Sequence, residues 1–228
     1  MGRTCAFFDI DGTVFRSSLL IELVNYLVEQ GHFPTEAQDR YKRELYAWQN
    51  REGSFEKYID AVVETFMEHI RGLPFADLAE AGQVVIAAHQ HHTYRYTRDL
   101  ITTLKRDGFY LVAISQSPKS ILDAFCGELG FDKVYGRFYE LGPSDRLTGV
   151  VVDEHLIANK ANIVRRVVER EHLTLAGSIG VGDTEGDIPM LDLVENPICF
   201  NPNRALYEYA KLQDWRIVVE RKDVIYEL

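Results

Sequence analysis

Asp9 and Asp11 stand two residues apart in Asp9-Ile10-Asp11-Gly12-Thr13, directly after the short, largely apolar run Thr4-Cys5-Ala6-Phe7-Phe8. If strand geometry persists, both carboxylates point to one side of the chain. Like charges so close are costly unless a cation or a shared proton relieves them, so the pair predicts a metal ion, a proton-sharing acid/base pair, or both. A solvated turn is the competing reading, since Asp and Gly are common turn residues. Gly182-Asp183-Thr184-Glu185-Gly186-Asp187 supplies a second acidic cluster. Its carboxylates suit a hard cation such as Mg²⁺, and helix capping by Asp183 or Glu185 is the alternative. Lys160 follows Asn159 at a helix start, where a cation is disfavoured unless an anion sits nearby; a solvated lysine would escape that cost. Ser115 ends an apolar run, and its hydroxyl with the following backbone NH groups at Gln116 and beyond could clasp phosphate. Ser117 before Pro118 reads more simply as a helix N-cap.

The elements that must hold these residues follow from the pattern of the chain. Thr4–Phe8 reads as a buried strand running into a polar turn. From Ser17 to about Arg98 the signals are helix after helix, with breaks at Gly31, Gly53-Ser54 and Gly72. Beyond Gly108, strands and helices alternate: strands at Phe109–Ile114, Ala176–Val181, Pro197–Phe200 and Arg216–Val219, and a hairpin within Lys133–Val152 turning near Pro143-Ser144-Asp145. Such alternation predicts an α/β fold: a doubly wound, mainly parallel, Rossmann-like sheet with an inserted helical cap. Residues 1–16 and 98–228 form the expected core, and 17–97 the cap. Open parallel sheets bind ligands beyond the carboxyl ends of their strands, where Asp9, Asp11, Ser115 and Asp183 all fall.

Composition excludes several classes. With 228 residues, 46% hydrophobic and 26% charged, the chain can bury a sizeable core. Asp plus Glu number 35 against 25 Lys plus Arg, and the net charge of -10 disfavours nucleic acid and anionic membrane as partners. The three cysteines have neither disulfide-framework nor zinc spacing, so a reducing cytoplasm is the expected setting for an unanchored protein. His89, His91 and His92 read as an exposed helix edge, and Tyr46, Trp48, Phe55, Tyr58 and Phe66 as the core of the helical insertion.

In order along the chain, Asp9-Ile10-Asp11-Gly12-Thr13, Ser115, Lys160 and the Asp183–Asp187 cluster resemble the four motifs of the haloacid dehalogenase superfamily of phosphohydrolases. The helical insertion after the first motif, Leu147-Thr148-Gly149 and Asn201-Pro202-Asn203 resemble its phosphoserine-phosphatase-like branch. The resemblance implies that Asp9 attacks phosphorus to form an aspartyl phosphate, while Asp11 protonates the leaving oxygen and then activates water. It implies Mg²⁺ as cofactor, held by Asp9, the Asp11 backbone carbonyl and Asp183, with Asp187 beside them. Ser115, Gln116 and Lys160 would bind the phosphoryl group, and Gly12 and Thr13 shape the loop. The expected partner is a small phosphorylated metabolite.

Where phosphoserine phosphatases place a glutamate and an arginine in the cap, this chain has Ser18, with Glu22 a turn later, and Asp60. Arg16 and Arg51 are the other specificity candidates. Loss of the arginine removes the counterion for a substrate carboxylate, so the expected substrate is a phosphomonoester other than phosphoserine. A phosphotransferase or phosphomutase using the same intermediate, and a phosphate-binding sensor without turnover, are the competing functions.

Overall fold

The computed structural model describes residues 2–228 and divides them into two compact units: residues 2–17, His91–Arg137 and Asp153–Leu228 make the first, and Ser18–Gln90 with Phe138–Val152 the second. In the first unit β1 (Thr4–Asp9) is buried over nearly its whole length. It pairs in parallel with β2 (Tyr110–Pro118) on one side and β5 (Thr174–Gly182) on the other. The first part of β3 (Lys133–Leu141) continues the sheet beyond β2. On the far side come β6 (Asn196–Phe200), β7 (Arg216–Arg221) and the antiparallel β8 (Val224–Glu227). With β4 (Leu147–Val152), paired to the distal part of β3, the strand order is β4-β3-β2-β1-β5-β6-β7-β8. The chain thus winds outward from β1 in both directions, and the carboxyl ends of β1 and β5 flank the point of reversal where such sheets leave a crevice.

Both faces of this sheet are buried, so its strands read as continuous apolar runs: Cys5, Phe7, Val112, Ile114, Cys199 and Ile217 lie within one core cluster, and Ala6, Phe8, Leu111 and Ala113, which alternate with them, are buried on the opposite face. The helices α5 (Arg95–Arg106), α6 (Lys119–Leu129), α7 (Glu154–Ile157), α8 (Lys160–Arg170), α9 (Ile188–Leu191) and α10 (Arg204–Gln213) connect the strands. Asn159 caps α8 by accepting from Ala161 N at 3.0 Å, and Asn203 caps α10 by accepting from Leu206 N at 2.9 Å. Gly130 ends α6 in the left-handed conformation that its sequence position suggests.

The second unit contains α1 (Leu19–Glu29), α2 (Ala37–Gln49), α3 (Phe55–His69) and α4 (Phe75–His89). Tyr41, Tyr58, Val62 and Phe66 are buried among these helices, while Tyr46 is exposed. The aromatic content of the insertion is therefore only partly core. His89 closes α4 and His91 and His92 lie beyond it, so the three histidines do not share a helix edge.

The expected division at 17–97 needs two corrections. α5 belongs with the sheet: Glu220 of β7 accepts hydrogen bonds from Arg95 N and Tyr96 N, and Thr97 Oγ1 donates to Thr13 O at 2.9 Å. The hairpin of distal β3 and β4 belongs with the helices. Gly72 N donates to Leu147 O at 2.8 Å, Leu147 N to Leu73 O at 2.9 Å, and Tyr139 packs edge-on against Phe66. These bonds join segments more than 70 residues apart, and neither periodicity nor turn signals report them. β8 is likewise an addition, since its four residues carry little alternation. No helix among the described residues is long and apolar enough to cross a membrane.

Candidate active site

The site forms in the first unit where β1 and β5 end. Asp9 is the last residue of β1, and Asp183 directly follows Gly182, the last of β5. One carboxylate oxygen each from Asp9, Asp183 and Asp187 lie within 4.8 Å of one another. Lys160, the first residue of α8, reaches into this group and donates to Asp9 Oδ1 and Asp187 Oδ1, each at 2.5 Å. Lys160 is 7% exposed, so the solvated-lysine reading does not hold. Burial lowers the affinity of its amine for a proton, but the charges of Asp187 and Asp9 more than reverse that and hold it above its ordinary range.

One ammonium against three carboxylates leaves the cluster short of positive charge. Burial, with the charges of Asp187 and Asp11, pushes the Asp9 carboxyl up to about 7 despite the pull of Lys160. Burial and the charges of Asp9 and Asp187 also push Asp183 well above its usual range. Asp9 Oδ2 is buried and finds no hydrogen-bond donor. An orphaned carboxylate oxygen among crowded like charges is what a divalent cation with oxygen ligands would relieve, so the residues present fit Mg²⁺.

The local chain path explains the crowding. Gly12 has φ +83°, and a Cβ there would collide with the Asp183 carboxylate, so only glycine lets the first turn approach β5. Thr13 Oγ1 donates to Asp183 Oδ1 at 3.2 Å, which fixes that side chain. Asp187 Oδ2 accepts from Asp183 N and Thr184 N. The N-cap of this turn is thus Thr184, with Asp187 completing a capping box from inside it, and neither Asp183 nor Glu185 caps it; the other Asp187 oxygen remains for Lys160. Asn203 N donates to Asp183 O at 2.8 Å and ties down the turn from the β6 side.

Asp11 faces a different set of partners. Its Oδ2 accepts from Ser115 Oγ and, at 2.8 Å, from Ser117 Oγ, while Ser117 N donates to Ser115 Oγ at 2.9 Å. The Asp11 side chain is outside the three-carboxylate group. Ser117 is not the N-cap of α6: strand geometry persists to Pro118, which occupies the cap position without a side-chain bond. The signal for Ser117 was its spacing of two from Ser115, which in an extended chain puts both hydroxyls on one side. Gln116, between them, is exposed and accepts from Arg137 Nη2 at 2.7 Å.

The specificity candidates divide between the units. Arg16, in the first, is exposed and lays its guanidinium over the Tyr94 ring at 5.5 Å. The others are in the helical unit. Ser18 is buried at the N-cap of α1 without a side-chain capping bond. Glu22 lies 4.0 Å from His89 Nε2. Arg51 is exposed in the turn after α2 with φ 66°, and Asp60 is exposed on α3.

A Rossmann-like α/β sheet with carboxylates converging at its point of reversal defines a structural class whose ligand sites lie beyond the strand ends. The model of the haloacid dehalogenase-like hydrolase family matches residues 6–192, and the chain belongs to that family. Its likeness within the family is to phosphatases. It is 23% identical to a histidinol-phosphatase of Neisseria meningitidis over 222 residues, covering 95% of this chain and 98% of that one. A phosphoserine phosphatase of Streptomyces coelicolor is 30% identical over 116 residues, which is 50% of this chain but 28% of that one. A solved structure described as a phospho-aspartyl intermediate analogue of phosphoserine phosphatase shares the fold, with a TM-score of 0.64 at 20% identity over 98% of this chain and 96% of that one.

Proposed function

We propose that the protein hydrolyses phosphomonoesters of small metabolites through a phosphorylated Asp9. The observation that carries this reading is the state of Asp9: a buried carboxylate at the end of β1, one oxygen held by Lys160 and the other without a donor. In the first half-reaction an Asp9 oxygen bonds to phosphorus, the bond from phosphorus to the ester oxygen breaks, and Asp11 gives that oxygen a proton. In the second, water attacks phosphorus and yields a proton to Asp11, and the acyl-phosphate bond breaks to release phosphate and the Asp9 carboxylate. Ser115 and Ser117 orient Asp11 in the present state. On binding substrate, Ser115 Oγ, the Gln116 backbone NH and Lys160 Nζ hold the phosphoryl oxygens, whose charge they offset. Asp9, Asp183, Asp187 and the Asp11 carbonyl would hold Mg²⁺, which supplies further positive charge to the phosphoryl group when bound. The direct test is release of free phosphate from a panel of phosphomonoesters with Mg²⁺; no phosphate from any of them, aryl phosphates included, overturns the reading.

Mg²⁺ should also be visible without turnover. Metal binds the ionised carboxylates, so acid competes with it wherever a ligand has a raised proton affinity. Asp9 titrates near 7. The rise in melting temperature that Mg²⁺ produces is therefore expected to be larger at pH 8 than at pH 5.5, and to be mostly lost in Asp183→Asn. An equal shift at both pH values, or an undiminished one in the variant, would remove these carboxylates as ligands. EDTA should stop turnover and added Mg²⁺ restore it.

Phosphoserine is not the expected preferred substrate. A phosphoserine site must pair the ammonium as well as the carboxylate, and at Ser18 and Asp60 the sequence lacks the glutamate and the arginine by which phosphoserine phosphatases grip the amino acid. The measurement is kcat/KM for phosphoserine beside sugar phosphates, glycerol phosphates, phosphorylated hydroxy acids and aryl phosphates. A tenfold lead for phosphoserine, about 1.4 kcal/mol in the transition state, would reverse this conclusion.

A further inference from the structure

Among the described residues no carboxylate pairs with the positive charge of Arg137. Its side chain is half-buried, its Nη2 donates to Gln116 Oε1 at 2.7 Å, and its Nε is buried with no acceptor. Among the described residues it forms no ion pair, although acidic residues outnumber basic ones by 35 to 25 and Arg3, Arg40, Arg98, Arg204 and Arg216 all have carboxylate partners. A buried donor without an acceptor is rare and costly, more so on a charged group.

The position of this guanidinium is well determined. Arg137 lies in register with Pro118 across the β2–β3 pair. The preceding residue, Gly136, is pressed against the turn after Ser115: a Cβ there would stand 2.9 Å from Ser117 O and 3.0 Å from Lys119 Cα. β3 therefore delivers Arg137 to the stretch Ser115-Gln116-Ser117, whose two hydroxyls bond Asp11. The guanidinium is held beside the phosphoryl-binding loop through Gln116 but takes no part in the Asp9, Lys160, Asp183 and Asp187 group. An arginine fork presents parallel NH groups that match a carboxylate or a phosphate.

From this we infer that Arg137, steadied by Gln116, is a specificity-determining residue that binds a second anionic group of the substrate. The inference rests on the phosphatase reading and narrows it to phosphomonoesters that also carry a carboxylate or a further phosphate. Phosphorylated hydroxy acids and bisphosphates share that chemistry; phosphoserine shares the carboxylate but adds an ammonium that the guanidinium repels, and simple alkyl and aryl phosphates lack the second anion.

The experiment compares kcat/KM for a phosphoglycerate, a sugar bisphosphate, glycerol phosphate and phenyl phosphate, using the wild type, Arg137→Met and Arg137→Lys. Wild-type protein is expected to favour the phosphoglycerate or the bisphosphate over glycerol phosphate by tenfold or more; whichever leads identifies the second group as carboxylate or phosphate. In Arg137→Met that ratio should fall at least tenfold, chiefly through KM, and Arg137→Lys should recover part of it. If the wild type shows no preference for the doubly anionic esters, the inference fails whatever the variants do. Equal losses on all four substrates would mean that Arg137 only positions Gln116, and would also overturn it. Should none of the four esters be hydrolysed, the phosphatase reading itself falls, and calorimetric binding of a carboxylate-bearing phosphonate still tests the subsite. Affinity at least tenfold weaker in Arg137→Met supports it, and equal affinity rejects it.

Discussion

Asp9→Asn is expected to abolish hydrolysis, with kcat reduced by at least about 10⁴-fold, while the protein remains folded. Loss of a covalent nucleophile removes the reaction path itself, and effects of this size are typical. The amide keeps the shape of the side chain but cannot form an acyl phosphate. Stability should respond in the opposite sense. Asp9 titrates near 7 because it is buried beside Asp187 and Asp11. A carboxyl raised above its unfolded value favours the fold below that unfolded value and loses the contribution as pH rises through about 7. At pH 8 in EDTA the wild type thus carries the full cost of the ionised group, whereas Asn does not, and Lys160 keeps Asp187 as partner. The melting temperature of Asp9→Asn should equal or exceed that of the wild type under those conditions. Initial rates on an aryl phosphate and thermal unfolding of the same samples measure both effects; a folded variant with wild-type turnover would end the assignment of Asp9 as nucleophile.

The sequence carried the parts of this site that are local. Asp9 and Asp11 announce themselves by spacing at the end of an apolar run, and Gly12 by the turn it permits. The sheet was legible because its strands are buried on both faces and stand between helices with clear caps such as Asn159 and Asn203. What stayed hidden depends on distant pairing. Lys160 could be solvated or buried as far as its neighbours reveal; only the 151-residue separation closed by its bond to Asp9 decides that. Ser117 had a sufficient local explanation as a cap, and that explanation concealed its bond to Asp11. Arg137 stands in a strand whose other signals are ordinary, and its place beside Gln116 follows from the register of β3 against β2. The hairpin of distal β3 and β4 was visible as a hairpin, but its membership of the helical unit rests on backbone bonds to Gly72 and Leu73.

Lys160→Met should be the most destabilising single substitution at the site and the second most damaging to turnover. The residue is buried between Asp9 and Asp187, and methionine fills similar space without charge. Removing one member of a buried ion pair typically costs about 3–5 kcal/mol, because the remaining charge is stranded. For a chain of this size that corresponds to a drop in melting temperature of roughly 6–20 °C. The pH dependence separates this cause from ordinary packing loss. Without the ammonium, the carboxyls of Asp9 and Asp183 rise further above their unfolded values; they are neutral in acid and become costly as pH climbs through their folded-state range. The deficit relative to the wild type in EDTA should therefore be small at pH 5 and large at pH 8. Turnover should fall by about 10²–10³-fold, the usual effect of deleting a donor to charge that develops in a transition state. A stability deficit of the same size at both pH values would show that Lys160 contributes by packing alone, and the electrostatic account of the three-carboxylate site would have to be abandoned.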